Sequence, residues 1–276
     1  MPKRFSSVVG RSFGDGVRDA IRSTGLTQRQ IARLLDWEEA KVSDLVRGKG
    51  GVTEVEVAML LGLCRVEPEE ARRLLALFRE TRKNGFLVFP EDGIPDQVRS
   101  LVEQERLANE ITMWSMNLIP GPLQIPGYIR ALIERSVRAK TVNVEEIIAA
   151  KTARQGIFHY SRQFVFYLHE VALRLPVGGE AVMRDQLLHL LAMGNRLYIT
   201  VRVVPTALGA HAGLSGSFRL LRYEKYEPVV FTETENSSLF VEDKATIDTY
   251  VDVLKLLDRQ ALDAEQSREL ITSILA

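Results

Sequence analysis

The segment Thr27-Gln28-Arg29-Gln30-Ile31-Ala32-Arg33-Leu34-Leu35-Asp36-Trp37-Glu38-Glu39-Ala40-Lys41-Val42-Ser43-Asp44-Leu45-Val46-Arg47 decides the fold of the first part of the chain. Thr27 is an N-cap for a helix over 28–35, because its hydroxyl can accept from a first-turn N–H that has no partner within the helix. Asp36-Trp37 makes the turn, and a second helix runs from Glu38 to Arg47 and stops at Gly48-Lys49-Gly50-Gly51. Two carboxylates in its first turn and an arginine in its last are the distribution that the helix dipole favours. Counted from Gln28, the small Ala32 is fifth, Asp36 ninth, Val42 fifteenth and Leu45 eighteenth. Helices at this spacing cross closely at Ala32 and bury Ile31, Leu35, Val42 and Leu45, which predicts a helix-turn-helix.

The helical pattern extends over 13–83. Val17, Ala20 and Ile21 share one face of a first helix that Gly25 ends. Thr53 caps a fourth helix through Val55, Val57, Ala58, Leu60 and Leu61, and Glu67-Pro68-Glu69-Glu70 opens a fifth with Leu74, Leu75, Leu77 and Phe78 inward. Charge separates this region from the rest. The chain holds 36 basic and 36 acidic residues, yet residues 1–52 carry 10 basic against 6 acidic, so a head of +4 precedes a body of −4. A basic head on an acidic body fits a nucleic-acid-binding module joined to something else.

A composition of 46% hydrophobic and 26% charged residues, with 19 Gly and 10 Pro, excludes collagen-like, low-complexity and wholly disordered classes. The single cysteine, Cys64, can form neither an intramolecular disulfide nor a cysteine cluster for zinc or iron–sulfur, which points to a reducing compartment. No apolar run of signal-peptide type follows the basic start, and no segment reaches the roughly 20 apolar residues that span a bilayer. A cytoplasmic protein is expected, with no membrane partner.

Beyond Arg82-Lys83-Asn84-Gly85 the composition shifts, and residues 84–95 have the Pro and Gly content of a linker packed on a surface. Three units are therefore expected: 1–83, the linker 84–95, and 96–276. In the last, helices are predicted near 96–110, 126–137, 143–161 and 179–193, and strands near 111–115, 163–169, 197–204, 217–223 and 228–232. Pro120, Pro122 and Pro126 keep 117–130 rich in turns. Ile247, Tyr250, Val251, Leu254 and Leu257 give one closing helical face, and Leu270, Ile271, Ile274 and Leu275 another. The fold class is an all-α N-terminal helix-turn-helix domain plus a larger mixed α/β (α+β) C-terminal domain.

The first of these domains resembles the XRE family of repressor-like regulators. The ninth position in that family is usually a glycine with positive φ; here it is Asp36, a residue that tolerates the left-handed region better than most. Nearly the whole chain resembles the actinobacterial WhiJ-like regulators, which join such a head to a C-terminal domain of uncharacterised function. That resemblance is carried by Leu118-Ile119-Pro120-Gly121-Pro122-Leu123-Gln124 before Tyr128-Ile129-Arg130, by Glu170-Val171-Ala172-Leu173-Arg174 running into Gly178-Gly179, and by Gln186-Leu187-Leu188-His189-Leu190. Val204-Pro205, Gly209-Ala210-His211-Ala212-Gly213 and Ser217-Phe218 complete it, while Pro122 stands where Leu is commoner.

The resemblance implies an antitoxin-like transcriptional regulator, often encoded beside a small partner protein. Its second motif helix would enter the major groove of double-stranded DNA, with Glu39, Lys41, Ser43 and Arg47, and Glu38 at its start, facing bases or phosphates. Thr27 and Gln28 would touch the DNA backbone, and Arg29 and Lys49 would add phosphate contacts. A homodimer over a pseudo-palindrome is expected, with Leu254, Leu257, Leu270 and Ile274 able either to supply the contact or to be buried within one chain.

In the C-terminal half, Trp114, Gln124, Tyr128 and Arg130 mix aromatic and polar chemistry around the Pro-rich turn and are candidates to line a ligand pocket or partner surface, with ordinary packing the bland use of Trp114. Glu170, beside His169 at a strand end, and His211, in the Gly-rich 209–216 loop, join them. That loop lacks the GxxxxGKS/T pattern and precedes a strand, so it reads as a connection and not as a phosphate cradle. The histidines at 159, 169, 189 and 211 show no HxxxH or HExxH pairing, so no metal is expected. Without a nucleophile elbow or a nucleotide loop, no catalytic residue and no cofactor are expected either. The function expected is sequence-specific transcriptional regulation, with a C-terminal domain that binds a small-molecule or protein signal. The alternative is a protein-interaction or antitoxin-like adaptor with secondary, autoregulatory DNA binding.

Overall fold

The computed structural model describes residues 7–49, 51–81, 86–88, 96–137, 143–234 and 237–276. The chain divides into two compact units, Met1–Val88 with Leu239–Asp243, and Phe89–Ser238 with Lys244–Ala276. Most of the expected linker 84–95 lies outside the described residues; within it, Phe86–Val88 forms a short strand, β1.

The N-terminal unit has the five expected helices: α1 (Val8–Ser23), α2 (Gln28–Leu34), α3 (Glu39–Val46), α4 (Glu54–Leu63) and α5 (Pro68–Glu80). Their core is apolar, built on Phe13, Val17, Ile21, Ile31, Val42, Leu45, Leu60, Leu61, Leu74 and Phe78. The ring centroids of Phe13 and Phe78 lie 5.4 Å apart. Helix α1 begins earlier than the pattern over 13–83 predicts. Ser7 caps it by accepting from the Gly10 N–H at 2.9 Å, and the Glu242 carboxylate accepts from the Val8 N–H at 2.7 Å. Glycines are poor helix formers and obscured this turn in the sequence. They serve close approach instead: a Cβ on Gly48, whose φ is +67°, would lie 1.8 Å from the Gly10 carbonyl oxygen.

The C-terminal unit is α+β, as expected. Its strands β2 (Glu110–Ser115), β3 (Gln163–His169), β4 (Ile199–Val204), β5 (Phe218–Arg222) and β6 (Val229–Glu233) follow the order β6-β5-β2-β3-β4. Strand β3 runs parallel to β2 and β4, with Thr112 opposite Val165 and Phe166 opposite Val201; β5 is antiparallel to β2 and β6. Four consecutive residues of β2 are buried, as in a strand covered on both faces. The remaining helices are α6 (Asp96–Leu107), α7 (Pro126–Arg135), α8 (Val144–Ala153), α9 (Glu170–Arg174), α10 (Glu180–Met193), α11 (Lys244–Gln260) and α12 (Ala264–Leu275). The single helix predicted over 143–161 is divided: α8 stops at Ala153 and continues as a 3-10 turn, Arg154–Ile157. A further strand, β7 (Ser238–Val241), was not predicted. Leu254 and Leu257 are buried within the chain, which removes both from the expected dimer contact.

Pro126 occupies the first turn of α7, where its missing N–H costs nothing, and Gly121–Leu123 forms a 3-10 turn before it. The fully buried Gln186 clamps this loop, donating to the Leu123 carbonyl at 2.7 Å and accepting from the Ile125 N–H at 2.9 Å.

Candidate nucleic-acid interface

Local chemistry sets the geometry of the α2–α3 pair. The Thr27 hydroxyl accepts from the Gln30 N–H, and the Gln30 side chain accepts from the Thr27 N–H at 2.8 Å, a reciprocal cap. Asp36 adopts φ 55° at the turn, the left-handed conformation expected of the ninth position. The Trp37 N–H then donates to the Ala32 carbonyl at 2.8 Å, and Ile31, Ala32, Val42, Leu45 and Val46 are buried. Burying 42, 45 and 46 on an eight-residue helix leaves the opposite face to solvent.

That face presents Glu38, Glu39, Ala40 and Arg47 as exposed residues, with Ser43 half-buried between them. On α2, Thr27 and Arg29 are exposed and Gln28 is half-buried. Arg29 and Arg47 have no ion-pair partner among the described residues. Lys41 differs from what its position in the sequence implies: its Nζ lies 2.5 Å from Glu56 on α4 and 4.5 Å from the Trp37 ring centroid. The hydrogen bond from Lys41 is the largest cause that brings the Glu56 carboxyl down to about 2, and the Thr53 N–H adds to it. Lys49 lies 3.5 Å from Asp44. Arg29 and Arg47 are thus the cations of the predicted set that remain uncompensated. Two further residues share this side. Exposed Arg33 follows Arg29 by one helical turn, a signal present in the sequence, and Ala40 shares the outward phase of Ser43 and Arg47.

The C-terminal candidates fall into separate groups. Trp114 is buried and donates from Nε1 to the Gly213 carbonyl at 2.8 Å; His211 packs edge-on against it at 5.4 Å and stacks on His169. His169 Nδ1 accepts from the Val171 N–H and His211 Nδ1 from the Gly213 N–H, so both rings carry their proton on Nε2. Burial pushes both imidazoles below their usual pKa, and for His211 the neighbouring His169 adds to this. Glu170 accepts from the N–H and the hydroxyl of Thr206, both at 2.9 Å, and pairs with Arg174. Burial opposes its ionisation, but these bonds outweigh it and hold its carboxyl below the ordinary range.

Gln124 and Tyr128 meet at Ile119: the Gln124 amide donates to its carbonyl at 2.7 Å, and the Tyr128 hydroxyl accepts from its N–H at 3.2 Å. Arg130 stands apart, half-exposed and paired with Glu145 at 2.6 Å. The six residues therefore do not line one pocket. Among the described residues, no group of three or more His, Cys, Asp or Glu is arranged to hold a metal, and no helix is long and apolar enough to cross a membrane.

Residues 12–75 match the model of a helix-turn-helix domain, which covers the α2–α3 pair and its supporting helices. No curated protein matches the chain. Residues 98–273, well over half of the chain and nearly all of its C-terminal unit, match a domain of unknown function, DUF5753. The chain carries a helix-turn-helix DNA-binding domain and belongs to the DUF5753 family.

Proposed function

We propose that the chain is a sequence-specific transcriptional regulator of the WhiJ-like, actinobacterial kind, with an XRE-type head that reads an operator and a C-terminal domain that receives a small-molecule or protein signal. The observation that carries this reading is the outward face of α3. Its large apolar residues Val42, Leu45 and Val46 are turned inward, while Glu39, Ala40, Ser43 and Arg47 lie on the side free to meet base edges, flanked by Arg29 on α2. Arg47 and Arg29 supply charge for phosphate, and Glu38 and Glu39 disfavour indiscriminate contact with it. The short α3 reaches few bases, so a cytoplasmic homodimer on a two-fold site is part of the proposal, as is antitoxin-like pairing with a small protein encoded nearby.

The test is a gel-shift and footprint series with the intact protein on DNA from its own host. Changing Arg29 and Arg47 together to Ala should abolish specific retardation while the circular dichroism spectrum and melting profile stay as in the parent. Lys41→Ala is a poorer probe, because it also removes the partner of Glu56. Specific retardation that survives the double change would refute α3 as the reading helix.

A further inference from the structure

Four charged side chains meet inside the C-terminal unit, and a fifth, Lys151, feels their charges. Glu105, on α6 and fully buried, accepts from Arg154 Nε at 2.6 Å and Nη2 at 2.5 Å. Arg219, on β5, places Nη1 3.5 Å from Glu105 and Nη2 3.5 Å from Glu233, with its guanidinium 5.2 Å from the Phe231 ring centroid. Lys151 precedes Arg154 by one helical turn, so the two share a face. Three cations thus stand against two carboxylates, and Glu233 is 58% exposed and largely hydrated.

Charge excess in a desolvated place is unfavourable unless something balances it. The effect is visible on Lys151: burial lowers its ammonium pKa, Glu233 opposes that, and the charges of Arg154 and Arg219 lower it further. Donors are left over as well. The buried Arg219 Nη1 has no hydrogen-bond partner among the described residues, and Lys151, half-buried, makes no hydrogen bond or ion pair among them. Arg154 spends Nε and Nη2 on Glu105, and its Nη1 faces Gly121 of the Pro-rich turn, where an added Cβ would still stand 3.9 Å away. Arg154 and Arg219 thus both border Glu105, with a glycine rather than a side chain beside Arg154 Nη1 and Lys151 one helical turn before Arg154. A structural ion-pair network needs Glu105, Arg154 and Arg219; it does not need Lys151.

We propose that Lys151, Arg154 and Arg219 bind a small oxyanion, the carboxylate or phosphate group of a soluble metabolite, with Glu105 holding Arg154 in position. The ligand's charge balances the cluster, and its oxygens take the donors that the protein leaves unused. The inference deepens the signal-receiving reading above and rests on it for its regulatory meaning; the binding itself stands on the cluster alone.

The test titrates the intact protein calorimetrically with sodium phosphate and, separately, sodium acetate, each against sodium chloride at matched ionic strength. Saturable binding of at least one of the two is expected, with a raised unfolding midpoint that chloride does not reproduce. Lys151→Gln should weaken that binding about tenfold or more while leaving the midpoint of the free protein near the parent's, since it removes the attraction of Glu233 together with the repulsion from Arg154 and Arg219 and breaks no hydrogen bond. Arg219→Gln should weaken it as well. Binding of phosphate alone assigns a phosphorylated ligand, and binding of acetate alone a carboxylate. Absence of saturable binding, an equal response to chloride, or full affinity in Lys151→Gln would overturn the site. Operator affinity measured at saturating anion separates the two readings: anion binding with unchanged DNA affinity keeps the site and refutes signal reception through it.

Discussion

The two units place their charges differently. In the N-terminal unit most ion pairs lie at the rim: Arg73–Glu70 and Arg79–Glu54 are largely exposed, with Lys41–Glu56 partly buried, while an apolar cluster holds the helices together. Exposed pairs of this kind add little to stability, so that surface can rearrange at little cost to the fold. In the C-terminal unit a carboxylate with no exposed surface holds one arginine bidentately and lies near a second. Geometry and charge state are therefore tied together there, and an arriving anion would be felt by the packing.

Glu105→Gln tests this contrast with the largest effect. It leaves Arg154 buried and unpaired, and should cost about 3–5 kcal/mol in the C-terminal transition. The chain has two tryptophans, Trp37 in the first unit and Trp114 in the second, so a Trp37→Phe background reports that transition alone in denaturant titration. A loss below about 1 kcal/mol would mean that the network is not integral to the fold.

Gly48→Ala comes next and falls in the other unit. It forces a side chain into the left-handed region and against Gly10, and should destabilise the transition reported by Trp37 by at least about 1–2 kcal/mol, leaving that of Trp114 unchanged. Thr27→Ala, which removes the reciprocal cap of α2, should cost about 1 kcal/mol in the same transition.

The smallest effect is one of pH. The folded pKa of Glu56, about 2, lies below its ordinary 4.5, so its contribution is fully present above pH 4.5 and is lost as pH falls toward 2. Glu56→Gln should flatten that part of the acid-melting profile followed at Trp37. An unchanged profile would mean that the Lys41–Glu56 contact does not form in solution.

How much was legible follows the same division. The cap at Thr27, the left-handed Asp36 and the buried phase of Ile31, Val42 and Leu45 all rest on neighbours within a few residues, and each reads directly from the chain. Strand β3 matched its predicted span, Gln163–His169, because β-branched and aromatic residues fill it. Glu105 sat unremarked within a polar helical stretch, since its partner Arg154 lies 49 residues on and no local period links them. Gln186 was visible in a motif, but its clamp on Leu123 and Ile125 depends on tertiary pairing. Candidates chosen for their chemistry near one turn proved to belong to separate neighbourhoods: Gln124 and Tyr128 hold the Ile119 loop, while Trp114 and His211 pack at the ends of β2 and β3.

The central claim, that the α3 face reads DNA, is tested most directly by genome-wide occupancy of the tagged protein in its own host, compared with the Arg29 and Arg47 double alanine variant. Sharp peaks sharing a two-fold sequence are expected in the parent, lost in a variant that is equally abundant and folded. A parent without specific peaks, or a variant with the same peaks, would contradict that claim.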